Sequence, residues 1–329
     1  MTPRIGKNKN TVSMSFYHPT FLSSDSLYLS KQTRNTDPSR LWSSWDFDKA
    51  RGHLMAIQRQ DGTDEVYRRG IVVASNVPRE TYLEFCNGEP KVSVKHRFVD
   101  GKVIAYEIPL NPHSVVQGVL TGEMYTWNRC ELDVMGETDV TVNTRDVYRP
   151  DACIRPQQRR QPPQRQAVNA TGNPYPTMVI EIGSTESLNS LHELATGYFS
   201  PRTNIRMYLA IKLFPRRRDR TFALLALFYR RDQLNPTVPC IAKSFGTANL
   251  HISTTRFLLN IPNFPANSLT GVGCGQVACD GPNLPDYQLA IPTKLLFDDV
   301  PTGAPNGTPN DFFIDLWDIQ RAYSRALRR

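Results

Sequence analysis

The sequence lacks any apolar run long enough to span a bilayer, and its first residues do not resemble a signal peptide. We therefore expect an intracellular protein, cytoplasmic or nuclear, that does not enter a membrane.

Its six cysteines are scattered, and the close pair Cys274 and Cys279 has no second pair nearby to complete a zinc site. Reduced thiols fit an intracellular protein, and nothing in the spacing favours structural zinc. No internal repeat is present.

Acidic residues are the minority among the charges, with 31 Asp and Glu against 39 Lys and Arg, and the net charge is +8. A basic surplus favours polyanions such as nucleic acid as partners. Arginines cluster without acids in the segment after Asp151 and again from Arg216 to Arg218. These clusters could contact phosphates, or they could be solvated turns between strands. The 25 prolines indicate long irregular connections rather than a helical bundle.

The chain divides into three parts by composition. Residues 1–40 are polar and predict a flexible tail, residues 41–231 predict a folded core, and residues 232–329 predict a Pro-, Asn- and Gly-rich extension that closes with a helix over 312–327. Within the core, Asp100-Gly101 predicts a hairpin turn, and helical spacing predicts a helix from about 112 to 127. Strand, helix and strand over 177–214 predict a right-handed crossover in a partly parallel sheet.

Two carboxylates lie about thirty positions apart, each in a β-like run. Asp151 follows Arg149-Pro150, and Glu181 stands between Ile180 and Ile182. Carboxylates are rare inside apolar strands because burial of an unpaired charge costs several kcal/mol. Two carboxylates on neighbouring strands can hold a divalent metal near a phosphodiester. The sequence therefore predicts a candidate metal site at Asp151 and Glu181.

The order of these motifs resembles the Uma-type family of putative restriction endonucleases, in the PD-(D/E)xK nuclease superfamily. The matching features are the Asp100-Gly101 hairpin, the helix with His113, Pro150-Asp151 and Glu181-Ile182-Gly183, and they cover about 90–215. Residues 288–297 also resemble the tail of a eukaryotic, fungal branch of the family. The resemblance implies an α/β (α+β) fold, with a restriction-endonuclease-like mixed β-sheet flanked by helices and with irregular N- and C-terminal extensions. It also implies that Asp151 and Glu181 bind Mg²⁺, or Mn²⁺, in an endonuclease.

One departure from the family pattern concerns the catalytic lysine, which the family places two residues after the Glu or on the following helix. Gly183 occupies the first position, and the segment 190–198 contains no lysine. The next lysine is Lys212, in an apolar strand. Lys212 could be a relocated catalytic lysine, a structural counter-ion or a solvent-facing strand residue. We take Asp151, Glu181 and Lys212 as the candidate catalytic set.

Nucleic acid is the partner that the resemblance and the charge indicate, DNA more than RNA. The candidate contacts to phosphates are His113 and five arginines, Arg155, Arg159, Arg160, Arg216 and Arg217. The chain could also form a homodimer. Two alternatives stay open. The first is a nuclease fold that has lost catalysis and serves as a binding module, which the missing lysine also fits. The second alternative is a structural, partner-binding protein that contacts no nucleic acid.

Overall fold

The computed structural model describes residues 45–58, 70–88, 91–163, 167–168 and 172–328, so the predicted tail over 1–40 lies outside the described residues. The α-helices are α1 Phe47–Gln58, α2 Arg79–Asn87, α3 Asn111–Trp127, α4 Leu188–Tyr198, α5 Ile252–Leu259, α6 Thr293–Leu296 and α7 Leu316–Ala326. Across the described ranges, each helix is too short or too polar to cross a membrane.

The strands are β1 Ile71–Ala74, β2 Lys95–Val99, β3 Lys102–Glu107, β4 Leu132–Met135, β5 Val140–Thr141, β6 Asp146–Tyr148, β7 Ala152–Pro156, β8 Met178–Gly183, β9 Met207–Leu213, β10 Ala223–Arg230, β11 Ile241–Gly246, β12 Leu269–Gly271, β13 Gln288–Pro292 and β14 Asp311–Asp315. They form a seven-stranded sheet, a five-stranded sheet and a two-stranded sheet.

The seven-stranded sheet has the order β12-β11-β10-β9-β8-β7-β4. β8 and β9 are parallel and are joined through α4, which confirms the predicted crossover. β11 and β12 are also parallel, and the remaining pairs are antiparallel. The sheet is therefore mixed and flanked by helices, as predicted. β11 and β12 lie beyond residue 231, so this part of the chain completes the same sheet.

The five-stranded sheet has the order β1-β3-β2-β6-β5 and contains the predicted hairpin. Asp100 and Gly101 both have positive φ, 48° and 74°, which is the conformation of a tight hairpin turn. Helix α3 follows as predicted, and Leu110 precedes its first turn. The structure also contains α2, β4 and β6, which are too short or too polar to show a clear period in the sequence.

The C-terminal segment corrects one prediction. The helix expected over 312–327 begins only at Leu316, because Asp311–Asp315 forms strand β14 and pairs with β13. Asp315 stands at the junction, and its carboxylate accepts a hydrogen bond from the Trp317 amide at 2.9 Å. An N-cap of this kind ends the strand and starts the helix at one residue.

The core lies on both faces of the seven-stranded sheet. One face packs against α3 and α7, through residues such as Leu120 and Ile319. The other face packs against α4 and α5, through residues such as Leu191 and Leu258. Side chains alternate along β8, so Ile180 and Ile182 join the first face while Glu181 points to the α4 face.

Candidate functional site

Asp151 lies immediately before β7, where the chain enters the seven-stranded sheet. β7 pairs with β8, and Ala152 is opposite Ile180, so Asp151 and Glu181 are on neighbouring strands as predicted. Asp151 Oδ2 accepts a hydrogen bond from the Ile182 amide at 2.6 Å. The Asp151 carbonyl accepts a hydrogen bond from the Gln117 side chain of α3, also at 2.6 Å. Backbone contacts therefore hold Asp151 beside the strand that carries Glu181.

Two cationic side chains meet the other carboxylate oxygen of Asp151. Lys95, on β2 of the five-stranded sheet, donates a hydrogen bond to Asp151 Oδ1. His113 Nε2, on α3, lies 3.1 Å from the same oxygen. Lys95 Nζ also lies 3.8 Å from Glu137 Oε1. The lysine at the acid pair therefore comes from a different sheet and from a position far earlier in the chain than the family pattern indicates.

The charges at this cluster reinforce one another. Burial favours the neutral form of Asp151, but Lys95 and His113 outweigh it and hold the pKa of Asp151 well below its usual range. Burial lowers the pKa of Lys95 and of His113, and the Asp151 carboxylate more than restores both, so both pKa values are raised. Lys95 and His113 thus both favour the ionised form of the Asp151 carboxyl group.

Glu181 is in the opposite state. Its side chain is buried, and Oε1 accepts a hydrogen bond from the Tyr198 hydroxyl of α4 at 2.5 Å. Burial, followed by the negative charges of Asp151 and Glu186, raises the pKa of Glu181. The pKa is high because the described cations nearby, Arg97 and Lys95, do not offset these effects. Glu181 therefore holds its proton more readily than Asp151 does.

Glu107, at the end of β3, organises the loop between β8 and α4. Its carboxylate accepts hydrogen bonds from the amides of Ser184, Thr185 and Glu186, at 2.8, 2.9 and 2.8 Å, and from the Thr185 hydroxyl at 2.8 Å. Glu107 is fully buried. A carboxylate that accepts several amide hydrogens is a strong, directional anchor. The loop after Glu181 is therefore fixed by a residue of the other sheet.

Arg97 and Glu186 make a second buried ion pair between the two sheets. The Arg97 guanidinium donates to Glu186 Oε1, which also accepts the Ser190 hydroxyl at 2.6 Å. The guanidinium carbon lies 3.6 Å from the centroid of the Tyr106 ring, so the cation also stacks on an aromatic face. Glu186 therefore links the start of α4 to the five-stranded sheet.

Lys212 is buried, with 1% of its surface exposed, so the interpretation of a solvent-facing residue is wrong. Its ammonium donates to the carbonyls of Ser184 and Glu186, at 2.9 and 2.7 Å. These are the same loop residues whose amides bind Glu107. The structure therefore brings Lys212 to the loop that follows Glu181. Its ammonium group donates hydrogen bonds to carbonyls that are buried in this loop.

Gly183 explains why the lysine of the family pattern is absent. A Cβ atom at this position would lie 2.7 Å from Leu191 Cδ1 and 3.2 Å from the Glu186 carbonyl oxygen. The close approach of α4 to the end of β8 leaves no room for a side chain. A lysine at residue 183 would require α4 to move away from the sheet.

The predicted phosphate contacts separate into buried and exposed residues. His113 and Arg159 are buried, and Arg159 donates to the carbonyls of Tyr175 and Asn204. Arg155 is partly buried and pairs with Asp133 at 3.0 Å. These three residues bind protein groups in the structure. Arg160, Arg216 and Arg217 are exposed.

Sequence reasoning missed Lys95, Arg97 and Glu107 as site residues. The run Lys95-His96-Arg97 lies in a predicted strand, and all three residues are buried. Consecutive charged residues in a strand that also contains Val94 and Phe98 are a signal, because they need buried partners. The sequence contains that signal but not the identity of the partners, which come from another sheet.

The residues fit a divalent cation in part. Carboxylate oxygens are the ligands that Mg²⁺ prefers, and Mg²⁺ commonly binds one or two carboxylates and keeps several waters. The buried ring nitrogens of His113 make no well-formed hydrogen bond, which is consistent with a further ligand at this cluster. Among the described residues, no group of three or more His, Cys, Asp or Glu side chains is arranged as a metal site. Asp151 and Glu181 would therefore be the protein's ligands, with water supplying the others.

A comparison with protein-family models agrees with the resemblance seen in the sequence. Residues 79–221 match the Uma2 family, described as putative restriction endonuclease, and this range contains Lys95, Asp151, Glu181 and Lys212. A solved structure of a putative nuclease belonging to DUF820 from Anabaena variabilis ATCC 29413 is 16% identical, with a TM-score of 0.35, over 53% of this chain and 86% of that chain. A comparison with curated proteins gives no match. The family match confirms the predicted resemblance to nucleases over residues 79–221.

Proposed function

We propose that this protein is a metal-dependent nuclease that hydrolyses phosphodiester bonds in DNA more than in RNA. The proposed active site is formed by Lys95, Asp151 and Glu181. The observation that carries the proposal is the Lys95 ammonium on Asp151, beside the strand that carries Glu181. This arrangement supplies the two acids and the cation of the family pattern, with the lysine taken from β2.

The residues have distinct roles under this proposal. Asp151 and Glu181 would hold Mg²⁺ or Mn²⁺, which when bound lowers the pKa of a coordinated water and stabilises charge on the phosphate oxygens. Lys95, held at Asp151, would orient the water or stabilise the developing negative charge. His113 keeps Asp151 ionised by raising the positive charge around it. Glu107 and Lys212 position the loop after Glu181 and do not touch the substrate.

A second candidate function is that of a nuclease fold without catalysis, which binds a partner. It is favoured by the saturation of Asp151, because Oδ1 is bonded to Lys95 and Oδ2 to the Ile182 amide. It is also favoured by burial, since Asp151 and Glu181 are 1% and 2% exposed. On this alternative, Lys95 replaces the metal as a permanent counter-ion of Asp151.

Metal binding and cleavage together separate the two functions. Titration calorimetry with Mn²⁺ on the wild-type chain, on Asp151→Asn and on Glu181→Gln measures the site directly. We expect binding to the wild type and its loss in both variants. In parallel, the wild type and both variants are incubated with single- and double-stranded DNA and RNA in the presence of Mg²⁺ or Mn²⁺, and cleavage is measured. Arg129→Gln is the control variant, because it removes an exposed charge away from the acids.

The nuclease proposal requires cleavage by the wild type and by Arg129→Gln, and none by Asp151→Asn or Glu181→Gln. Equal traces of cleavage in all four proteins indicate a contaminating nuclease and overturn it. An absence of both metal binding and cleavage, in protein whose circular dichroism is native, establishes the inactive fold instead. Lys95→Arg adds a conservative variant, which should keep metal affinity and lower the rate.

A further inference from the structure

A basic groove lies outside the part of the chain that matches the nuclease family. It runs along α7, has a volume of about 580 Å³, and is bordered by Gly246 at the end of β11 and by the segment around Cys279. Gln320 forms its base, where the side-chain oxygen accepts the Gly246 amide at 2.7 Å and the side-chain amide donates to the Cys279 carbonyl at 2.6 Å. These two bonds hold α7 to both walls, so the groove is a fixed feature.

One face of α7 lines the groove with an aromatic ring and three arginines. Trp317, Arg321, Arg325 and Arg328 are spaced by four, four and three residues, which places them on one side of the helix. Trp317 is partly buried, and the arginines are exposed. Arg321 pairs with Asp318 at 2.9 Å, and Asp280 is the acidic residue of the lining. The groove therefore has a net positive charge and one flat apolar surface.

The groove lies along the same edge of the seven-stranded sheet as the acid pair. Across neighbouring strands at this edge, Gly246 pairs with Ala223, Leu224 pairs with Leu213, and Lys212 pairs with Gly183. The groove border on β11 is therefore three strand spacings from the end of β8, or about 14 Å. Because α7 and Glu181 lie on opposite faces of the sheet, a polymer that contacts both places would have to pass around this edge.

The basic loop after β9 connects the two places. Arg216 donates to the carbonyl of Leu327, at the end of α7, at 3.5 Å. The Tyr323 hydroxyl of α7 donates to the carbonyl of Phe214 at 2.7 Å. Arg216 and Arg217 are thus exposed cations located between the groove and the strand that carries Lys212.

We propose that this groove binds single-stranded nucleic acid, with phosphates at Arg325 and Arg328 and a base against the Trp317 ring. Arginine contacts to the backbone combined with aromatic stacking are how proteins bind single strands without a sequence preference. This proposal extends the proposed function and rests on it in one respect. The nucleic-acid strand bound in the groove would continue past Arg216 to the acid pair. Binding in the groove does not itself require a metal or cleavage.

The test measures binding of a fluorescent oligothymidylate of about 20 nucleotides by anisotropy, without divalent metal, across a range of salt concentrations. The groove variant is Arg325→Gln with Arg328→Gln. The matched control is Arg129→Gln with Arg256→Gln, which removes two exposed arginines that do not line the groove. Trp317→Leu tests the stacking surface, and circular dichroism checks that each variant is folded.

We expect the groove variant to bind about ten-fold more weakly, and the slope of log affinity against log salt to fall by about 1.4, because each lost phosphate contact removes about 0.7. The control pair should change neither quantity as much. Wild-type protein that binds the oligonucleotide but cleaves no nucleic acid in the presence of metal would overturn the proposed function and leave the groove proposal intact. Equal weakening in groove and control variants, tight binding of a duplex of the same length, or no binding at all would overturn the groove proposal.

Discussion

Lys95 and Asp151 form a buried ion pair across 56 positions of the sequence, and the pair joins the five-stranded sheet to the seven-stranded sheet. Both side chains are buried, since Lys95 is 8% and Asp151 1% exposed. Buried pairs stabilise little when complete, but loss of one partner leaves a charge without compensation. The energetic importance of this contact should therefore appear when one member is removed.

Lys95→Met should lower the free energy of unfolding by about 3–5 kcal/mol, because Asp151 would remain buried with only His113 beside it. Denaturation in urea at neutral pH measures the loss. Lys294→Met removes an exposed lysine and should change the stability by less than about 0.5 kcal/mol. If the double variant Lys95→Met with Asp151→Leu is as unstable as Lys95→Met alone, the ion pair is not the source of the effect.

Glu181 predicts an unusual dependence of stability on pH. Burial raises its folded-state pKa above the ordinary value of a glutamate, about 4.5, so the folded protein retains a proton that the unfolded chain releases. This contribution is fully present below pH 4.5 and declines as the pH rises toward the folded pKa. Glu181→Gln keeps a neutral side chain at all pH values. Its stability should decline less than that of the wild type between pH 5 and 8, which is measured by thermal unfolding.

The same comparison in the presence of Mn²⁺ sharpens this prediction. A bound cation favours the ionised form of Glu181 and should lower its pKa, so the wild type should lose less stability with rising pH when Mn²⁺ is present. Identical slopes for the wild type and Glu181→Gln without metal would contradict the raised pKa.

Gly183→Ala should destabilise the protein by about 1–3 kcal/mol, because the added methyl group collides with Leu191 and the Glu186 carbonyl. Leu191→Ala, combined with Gly183→Ala, removes the side-chain part of the collision. The two changes should therefore be less than additive when urea denaturation is used to measure them. Strict additivity would mean that α4 already has room at this position. Gly183→Lys, which restores the family pattern in sequence, should reduce stability further and should not increase nuclease activity.

Glu107→Gln should loosen the loop between β8 and α4. The charged acceptor of the amides at 184–186 becomes neutral, and one of its oxygens becomes a donor facing amide hydrogens. We expect a loss of about 1–3 kcal/mol and faster hydrogen exchange at these amides, measured by mass spectrometry. Glu84→Gln, on the exposed face of α2, is the control. Unchanged exchange at 184–186 would contradict the role of Glu107.

The sequence predicted the elements that are periodic and the acids that interrupt them. The hairpin at Asp100-Gly101, helix α3 and the β8-α4-β9 crossover follow from local patterns, and so does the adjacency of Asp151 and Glu181. The identity of the lysine did not follow. Lys95 reaches Asp151 only because β2 belongs to a second sheet that packs against the first, and such long-range placement leaves no periodic mark. The strand at 311–315 was hidden because Phe312 and Phe313 also fit a helical spacing.

Three polar contacts join the two sheets at the acid pair: Lys95 with Asp151, Arg97 with Glu186, and Glu107 with the loop at 184–186. Without the five-stranded sheet, Asp151 and Glu186 would lose their cationic partners and the amides at 184–186 would lose their acceptor. We therefore expect the sheets to unfold in one cooperative transition. The residues proposed for chemistry would then also determine the smallest part of this chain that can fold independently, and a fragment containing only one sheet should not be stable.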